Sequence, residues 1–80
     1  MIYVVCIETS DDGENEFKFE LFSTREKAQK YLKQLADAEL SDWVNDKKNE
    51  LEYFEYTDDC FDVICYDLRI SIWIQPKDLS

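Results

Sequence analysis

The chain has 80 residues, 19 acidic side chains against 9 basic ones, no histidine and a formal charge of −10. A chain of this length buries about 63% of its unfolded surface, enough for one thin core and no second domain, so residues 1–80 are expected to form one compact domain. The 45% hydrophobic and 15% aromatic content excludes a disordered acidic tail, and the single glycine and single proline exclude a phosphate-cradling glycine loop or a flexible linker.

Ile2–Ile7 is a continuous β-branched and apolar run, the pattern of a strand buried on both faces. Asp12-Gly13 follows, a step suited to a turn with positive φ. Glu16–Phe22 then alternates, with Phe17, Phe19 and Leu21 on one side and Lys18 and Glu20 on the other. That spacing predicts a half-buried strand, closing a hairpin with an acidic tip. Ser23-Thr24-Arg25-Glu26 reads as a capping box with Ser23 as the cap. Ala28, Tyr31, Leu32 and Leu35 then share one narrow helical stripe, while Lys27, Lys30 and Lys33 point away.

The stripe does not persist. Leu40, Trp43, Val44 and Leu51 form a second stripe rotated by about 100° from the first, and one straight helix cannot bury both. A break or kink between Asp37 and Asp42 is expected, with Ser41 or Asp42 capping a short second helix that ends at Lys47-Lys48. Leu51–Tyr56 fits either an extension of that helix or a strand. Phe61–Tyr66 is β-rich, and Tyr66–Arg69 is the expected hairpin turn. Leu68, Ile70, Ile72 and Ile74 alternate with Arg69, Ser71, Trp73 and Gln75 until Pro76 stops the run. The order β-β-α-(short α)-β-β defines a two-layer α+β domain, an antiparallel sheet with helix on one face.

The acids are clustered. Six lie between Glu8 and Glu20, opposed by Lys18, and seven lie between Glu50 and Asp67 with no base among them. Six of the nine bases fall between Arg25 and Lys48, so the helix surface is near neutral and the molecule polarised. One reading is a solvated face that confers solubility. The other is a surface for a basic partner, formed by Glu50, Glu52, Glu55, Asp58, Asp59 and Asp62, with Asp11, Asp12, Glu14 and Glu16 as a second patch. Tyr53 and Tyr56 interleave with these acids and are candidate anchors. Trp73 projects from the polar side of its strand, where either a second layer covers it or it marks a contact surface.

Other chemistries fit poorly. Without histidine there is no Ser-His-Asp or Cys-His pair, and the many carboxylates define no cleft, so no catalytic residue is expected. Cys6, Cys60 and Cys65 match no zinc spacing, and Cys6 and Cys65 read as small buried apolar groups. The run Asp11–Glu16 lacks the ligand order of a calcium loop. No metal or cofactor is therefore expected. An odd cysteine count without a signal-type segment points to a reduced, cytoplasmic compartment. No apolar run approaches the length of a membrane span, and a −10 surface repels nucleic acid and anionic lipid.

The stretch Glu20-Leu21-Phe22-Ser23-Thr24-Arg25-Glu26-Lys27-Ala28-Gln29-Lys30-Tyr31-Leu32 resembles an element of many small uncharacterised phage and bacterial proteins: a strand, Phe-Ser-Thr-x-Glu-x-Ala, then an amphipathic helix. It covers about a sixth of the chain and carries no catalytic residue. The resemblance implies a phage-type product that binds and blocks a host factor in the host cytoplasm, as anti-CRISPR and other anti-defence inhibitors do. The leading expectation is a non-enzymatic inhibitor that mimics nucleic-acid charge toward a basic, nucleic-acid-handling host protein. The alternatives are a self-associating module, pairing as a homodimer through Leu68–Gln75 at a sheet edge, and a small-ligand or metal-binding regulator.

Overall fold

Two tight turns set the register of the sheet. At Asp12-Gly13 both residues take positive φ (50° and 88°), which only a two-residue primed turn requires, and glycine fills the more demanding position. Tyr66-Asp67 makes the second two-residue turn, with Tyr66 at φ 54°. The structure, a computed structural model, describes residues 1–78. Its strands are β1 (Ile2–Asp11), β2 (Glu14–Phe22), β3 (Tyr53–Tyr56), β4 (Cys60–Cys65) and β5 (Leu68–Lys77), and its helix is α1 (Arg25–Glu39). The strands form one antiparallel sheet in the order β2-β1-β5-β4-β3, with α1 packed on one face, the expected α+β architecture.

Several local expectations are corrected. Thr24, not Ser23, caps α1: it is extended (φ −133°, ψ 154°) and its hydroxyl accepts from the Lys27 N–H at 3.2 Å. Starting the helix one residue later puts Glu26 in its first turn, where it complements the dipole without closing a capping box. The regular α-helix does end between Asp37 and Asp42, at Glu39, but by passing into a π turn, and Glu39 rather than Ser41 or Asp42 stands at the start of that turn. α1 runs into a π turn at Leu40–Val44, closed by the Asn45 N–H donating to the Leu40 carbonyl at 3.2 Å. A π turn takes in one extra residue, and one residue is worth about 100° of rotation, the offset between the two stripes. Val44 therefore turns inward and is buried. A 3-10 turn, Lys48–Glu50, ends the segment. The ambiguous stretch 51–56 resolves as the strand β3.

The core lies between α1 and the sheet. Ala28, Leu32 and Ala36 of α1 and Val44 of the π turn meet Val5 of β1, Phe61 and Val63 of β4, and Ile70 and Ile72 of β5, all buried. Phe61 is its centre, packed edge-on against Phe54 and Tyr56 with ring centroids 6.0 and 5.4 Å apart. β5, expected at a sheet edge, lies in the middle, because its alternate isoleucines are the residues α1 covers.

Two polar ties hold the helix to the sheet. The Arg25 guanidinium binds both oxygens of Asp59, and Gln29 donates to Asp59 Oδ1 at 3.0 Å. The Gln29 bond and then the Arg25 fork hold the Asp59 carboxyl below its ordinary 3.8. The Tyr56 hydroxyl donates to Asp37 Oδ1 at 2.9 Å, and burial together with that bond pushes the phenol up to about 12.

These contacts yield two expectations. Phe61→Ala costs about 3–5 kcal/mol, a large part of the stability of a small domain, and urea denaturation followed by circular dichroism should show it. Asp59→Asn lowers the urea midpoint at neutral pH. Because the folded carboxyl titrates below its unfolded value, its contribution is present above 3.8 and lost as pH falls through the depressed folded value. The midpoints of wild type and variant should converge in that acid window; a gap independent of pH would show that the carboxylate charge is not what stabilises the tie.

Candidate functional site

Side chains alternate across a strand, so the register assigns every sheet residue to one of two faces. Phe22 packs against Tyr31 of α1 with centroids 5.2 Å apart, so even-numbered positions of β2 lie on the helix side. Phe17, Phe19 and Leu21 therefore lie on the opposite, helix-free side. They are 57%, 58% and 55% exposed, which overturns the expectation that this face of β2 is half-buried. On that same face β1 contributes Val4, Cys6 and Glu8, β5 contributes Arg69, Ser71, Trp73 and Gln75, β4 contributes Cys60, Asp62 and Ile64, and β3 contributes Tyr53 and Glu55.

The aromatic residues on this face make a continuous strip. Phe17 sits 6.4 Å from Phe19 and 6.3 Å from Trp73, centroid to centroid. Cys6 lies between Phe19 and Trp73 in the register, and these rings roof it, which is why it is buried on a face that no other described layer covers. A shallow depression of about 320 Å³ runs over Val4, Cys6, Phe17, Phe19 and Leu21 toward Gln75 and Lys77. Trp73 is half-buried by these neighbours, with Cys6 and Cys60 beside it on the flanking strands.

The predicted acids do not form one surface. Glu55 and Asp62 are cross-strand partners on the helix-free face. There Asp62 accepts from the Ser71 hydroxyl at 2.9 Å and lies 3.9 Å from Arg69 Nε, and Glu55 accepts from the Tyr53 hydroxyl at 2.6 Å. That bond is the first cause of the upward shift of the Tyr53 phenol. Asp58 and Asp59 lie on the β3–β4 turn, where Arg25 and Gln29 already hold Asp59. Glu50 is on the 3-10 turn, 3.5 Å from Lys47 Nζ, with exposed Glu52 just beyond it. Tyr56 is committed to Asp37.

The second patch does assemble. Asp11 and Glu14 close the β1–β2 hairpin directly opposite each other, with Asp12 between them and Glu16 two pairs further along. The Asp12 N–H donates to the Asp67 carbonyl at 3.3 Å, bringing the acidic tip of the β4–β5 hairpin alongside. One end of the sheet is thus a cluster of exposed carboxylates, in which the register puts Asp11, Glu14 and Glu16 on the helix side, opposite the face of the aromatic strip.

Burial pushes the Cys6 thiol up, and burial followed by the charges of Glu55, Asp62 and Asp59 raises Cys60, so both are protonated at neutral pH. Among the described residues no three Cys, Asp or Glu side chains lie together as a metal site, and no helix is long and apolar enough to cross a membrane. A larger groove of about 580 Å³ lies between α1 and the β3–β4 turn, lined by Lys30, Lys33, Asp37, Tyr56 and Asp58. Its charges oppose one another, and Tyr56 and Asp37 satisfy each other across it.

The alternation of Glu16–Phe22 predicts a half-buried strand with Phe17, Phe19 and Leu21 on one face, and that face is exposed. The signal that locates them was present: with a two-residue turn at Asp12-Gly13, Phe22 and Tyr3 share a side, and the helix entered directly after Phe22 must pack there. Compared with known proteins, the chain matches no family model, no curated protein and no solved structure.

Phe19→Ser should change stability by less than about 1 kcal/mol, in contrast to Phe61→Ala, because the ring is already in water. It should also reduce binding of a hydrophobic dye to the native protein. A loss of stability as large as that of Phe61→Ala would place Phe19 in a packed interior.

Proposed function

We propose that this chain is a non-enzymatic protein-binding module that docks its helix-free face on a basic, nucleic-acid-handling host protein and blocks it. The observation that supports this most directly is the exposed strip of Phe17, Phe19 and Leu21 running into Trp73. Apolar area held in water is recovered as free energy when a partner covers it, and contiguous aromatics beside a polar rim are the usual anchors of such contacts. The hairpin-tip carboxylates of Asp11, Asp12, Glu14 and Asp67 lie at the end of the sheet beyond the strip, with Asp11 and Glu14 on its helix side, and with a net charge of −10 they act at long range, steering the molecule toward positive surfaces. Glu55 and Asp62 supply an acidic rim on the face of the strip itself. On this reading, the strand–cap–helix resemblance to small phage and bacterial proteins supports a partner among host defence factors, anti-CRISPR targets included, and action in the host cytoplasm.

The test compares immobilised wild type with two variants, Phe17→Ser/Leu21→Ser and Asp11→Asn/Asp12→Asn/Glu14→Gln, for capture of proteins from host lysate at low and high salt. A basic protein retained by wild type should be lost by the apolar variant. Its affinity should fall roughly tenfold or more in the carboxylate variant and on raising salt. Equal capture by all three proteins, or a partner whose affinity ignores salt, overturns the reading.

A further inference from the structure

We infer that the outer edge of β2 pairs with β2 of a second copy, antiparallel and centred on Phe19, so that two five-stranded sheets continue as one. This goes beyond the partner-binding reading, because it concerns the backbone edge and the helix-side charges of β2 rather than the helix-free face.

β2 is an outer strand of nine residues, and its far edge meets no other strand among the described residues. The opposite edge strand, β3, has four residues. Two independent features fix which backbone groups of β2 face outward. Residues flanking a two-residue turn form a hydrogen-bonded pair, so Asp11–Glu14 is one, and with it Thr9–Glu16, Ile7–Lys18 and Val5–Glu20. From the other end of the sheet, the Ile74 N–H donates to the Asp59 carbonyl, toward β4, so Trp73 bonds to Cys6 of β1 and Val5 and Ile7 are left to bond β2. Both routes leave the N–H and C=O groups of Phe17, Phe19 and Leu21 pointing away from β1, unpaired at the sheet edge.

In an antiparallel pair, opposed residues share a face, so a two-fold pairing must centre on one residue. Centring on Lys18 sets Lys18 against Lys18 and Glu16 against Glu20, all like charges. Centring on Phe17 sets Lys18 against Glu16 but also Glu20 against Glu14, and it leaves Phe19 opposite Asn15. Centring on Phe19 sets Phe19 against Phe19, Phe17 against Leu21 twice, and Lys18 against Glu20 twice. In that register the outward N–H and C=O groups of Phe17, Phe19 and Leu21 all find partners, the apolar strip doubles on one face, and opposite charges meet on the other. The edge is complementary to itself, and this is why a second copy is its occupant.

The test is sedimentation of the full chain over a concentration series. Wild type should show a monomer–dimer equilibrium. Lys18→Glu or Glu20→Lys alone places like charges opposite each other twice per dimer and should weaken association roughly tenfold. Mixing the two single variants, or combining both changes in one chain, restores opposite charges and should restore pairing. Both side chains are exposed and lie away from the core, so each variant should fold, which melting curves would check. The register has its own readout: two Phe19→Cys copies bring their Cα atoms to about 5.5 Å and should cross-link on mild oxidation, whereas Phe17→Cys copies should not. A strict monomer at every concentration, a dimer indifferent to Lys18→Glu, no rescue on mixing, or cross-linking through Phe17→Cys each overturns the inference.

Discussion

Because side chains alternate along a strand, the parity of a sheet is decided at its tight turns, and a one-residue slip would move every side chain to the other face. Here Asp12-Gly13 and Tyr66-Asp67 decide it. From these turns follow the inward aim of Val5, Ile70, Ile72, Phe61 and Val63 and the outward aim of Phe17, Phe19 and Trp73. The turns are costly places for ordinary residues: Tyr66 holds φ 54° with a β-carbon, and Asp12 holds 50°. The sheet ladders on both sides of each turn over-determine those conformations, so local strain is offset by global register.

Coverage is the second constraint. A helix is about 10–12 Å across, while five strands span about 24 Å, so one helix roofs two or three of them. α1 lies over β1, β5 and β4, where the alternate apolar residues are buried. β2 is left outside, and its helix-side positions Glu16, Lys18 and Glu20 are polar because nothing covers them. Length acts the same way: α1 spans about 22 Å and a ten-residue strand about 33 Å, so the hairpin tips outrun the helix and carry the carboxylates. The π turn then recovers extra coverage. Rotating the stripe by one residue lets Val44 and, beside it, Leu40, Trp43 and Leu51 continue the core toward β3.

Much of this architecture is legible from residue patterns alone. Ile2–Ile7, the Asp12-Gly13 turn, the stripe of Ala28, Leu32 and Leu35, and the alternation of Leu68–Gln75 each point to the element observed. The 100° offset between stripes is also visible, but the pattern cannot distinguish a broken helix from an inserted residue, since both deliver the same rotation. The misreading of β2 has a different origin. Alternation reveals that a strand has an apolar face, but which layer that face meets depends on how far one helix reaches, a tertiary quantity. Placing β5 at an edge failed for the same reason: strand order follows from coverage, not from the strand's own sequence. The acids show the converse limit. Asp59 reads as one more surface carboxylate, and its role in fixing Arg25 and Gln29 depends on residues 30 or more positions away.

A long edge strand with exposed Phe side chains invites open-ended aggregation, and the charges of this chain bear on why that need not follow. In β2 each apolar residue from Phe17 to Leu21 has a charged neighbour on the opposite face, so every register that matches apolar groups also decides whether Lys18 meets a carboxylate or another Lys18. That condition favours one pairing over its neighbours. Once β2 is paired, the remaining edges are copies of β3, four residues long, with Glu55 opposite Asp62 beside each. Short, acidic edges are poor templates for another strand, and a charge of −10 per copy repels a third. The acidity of the chain therefore also limits how many copies can gather at that edge.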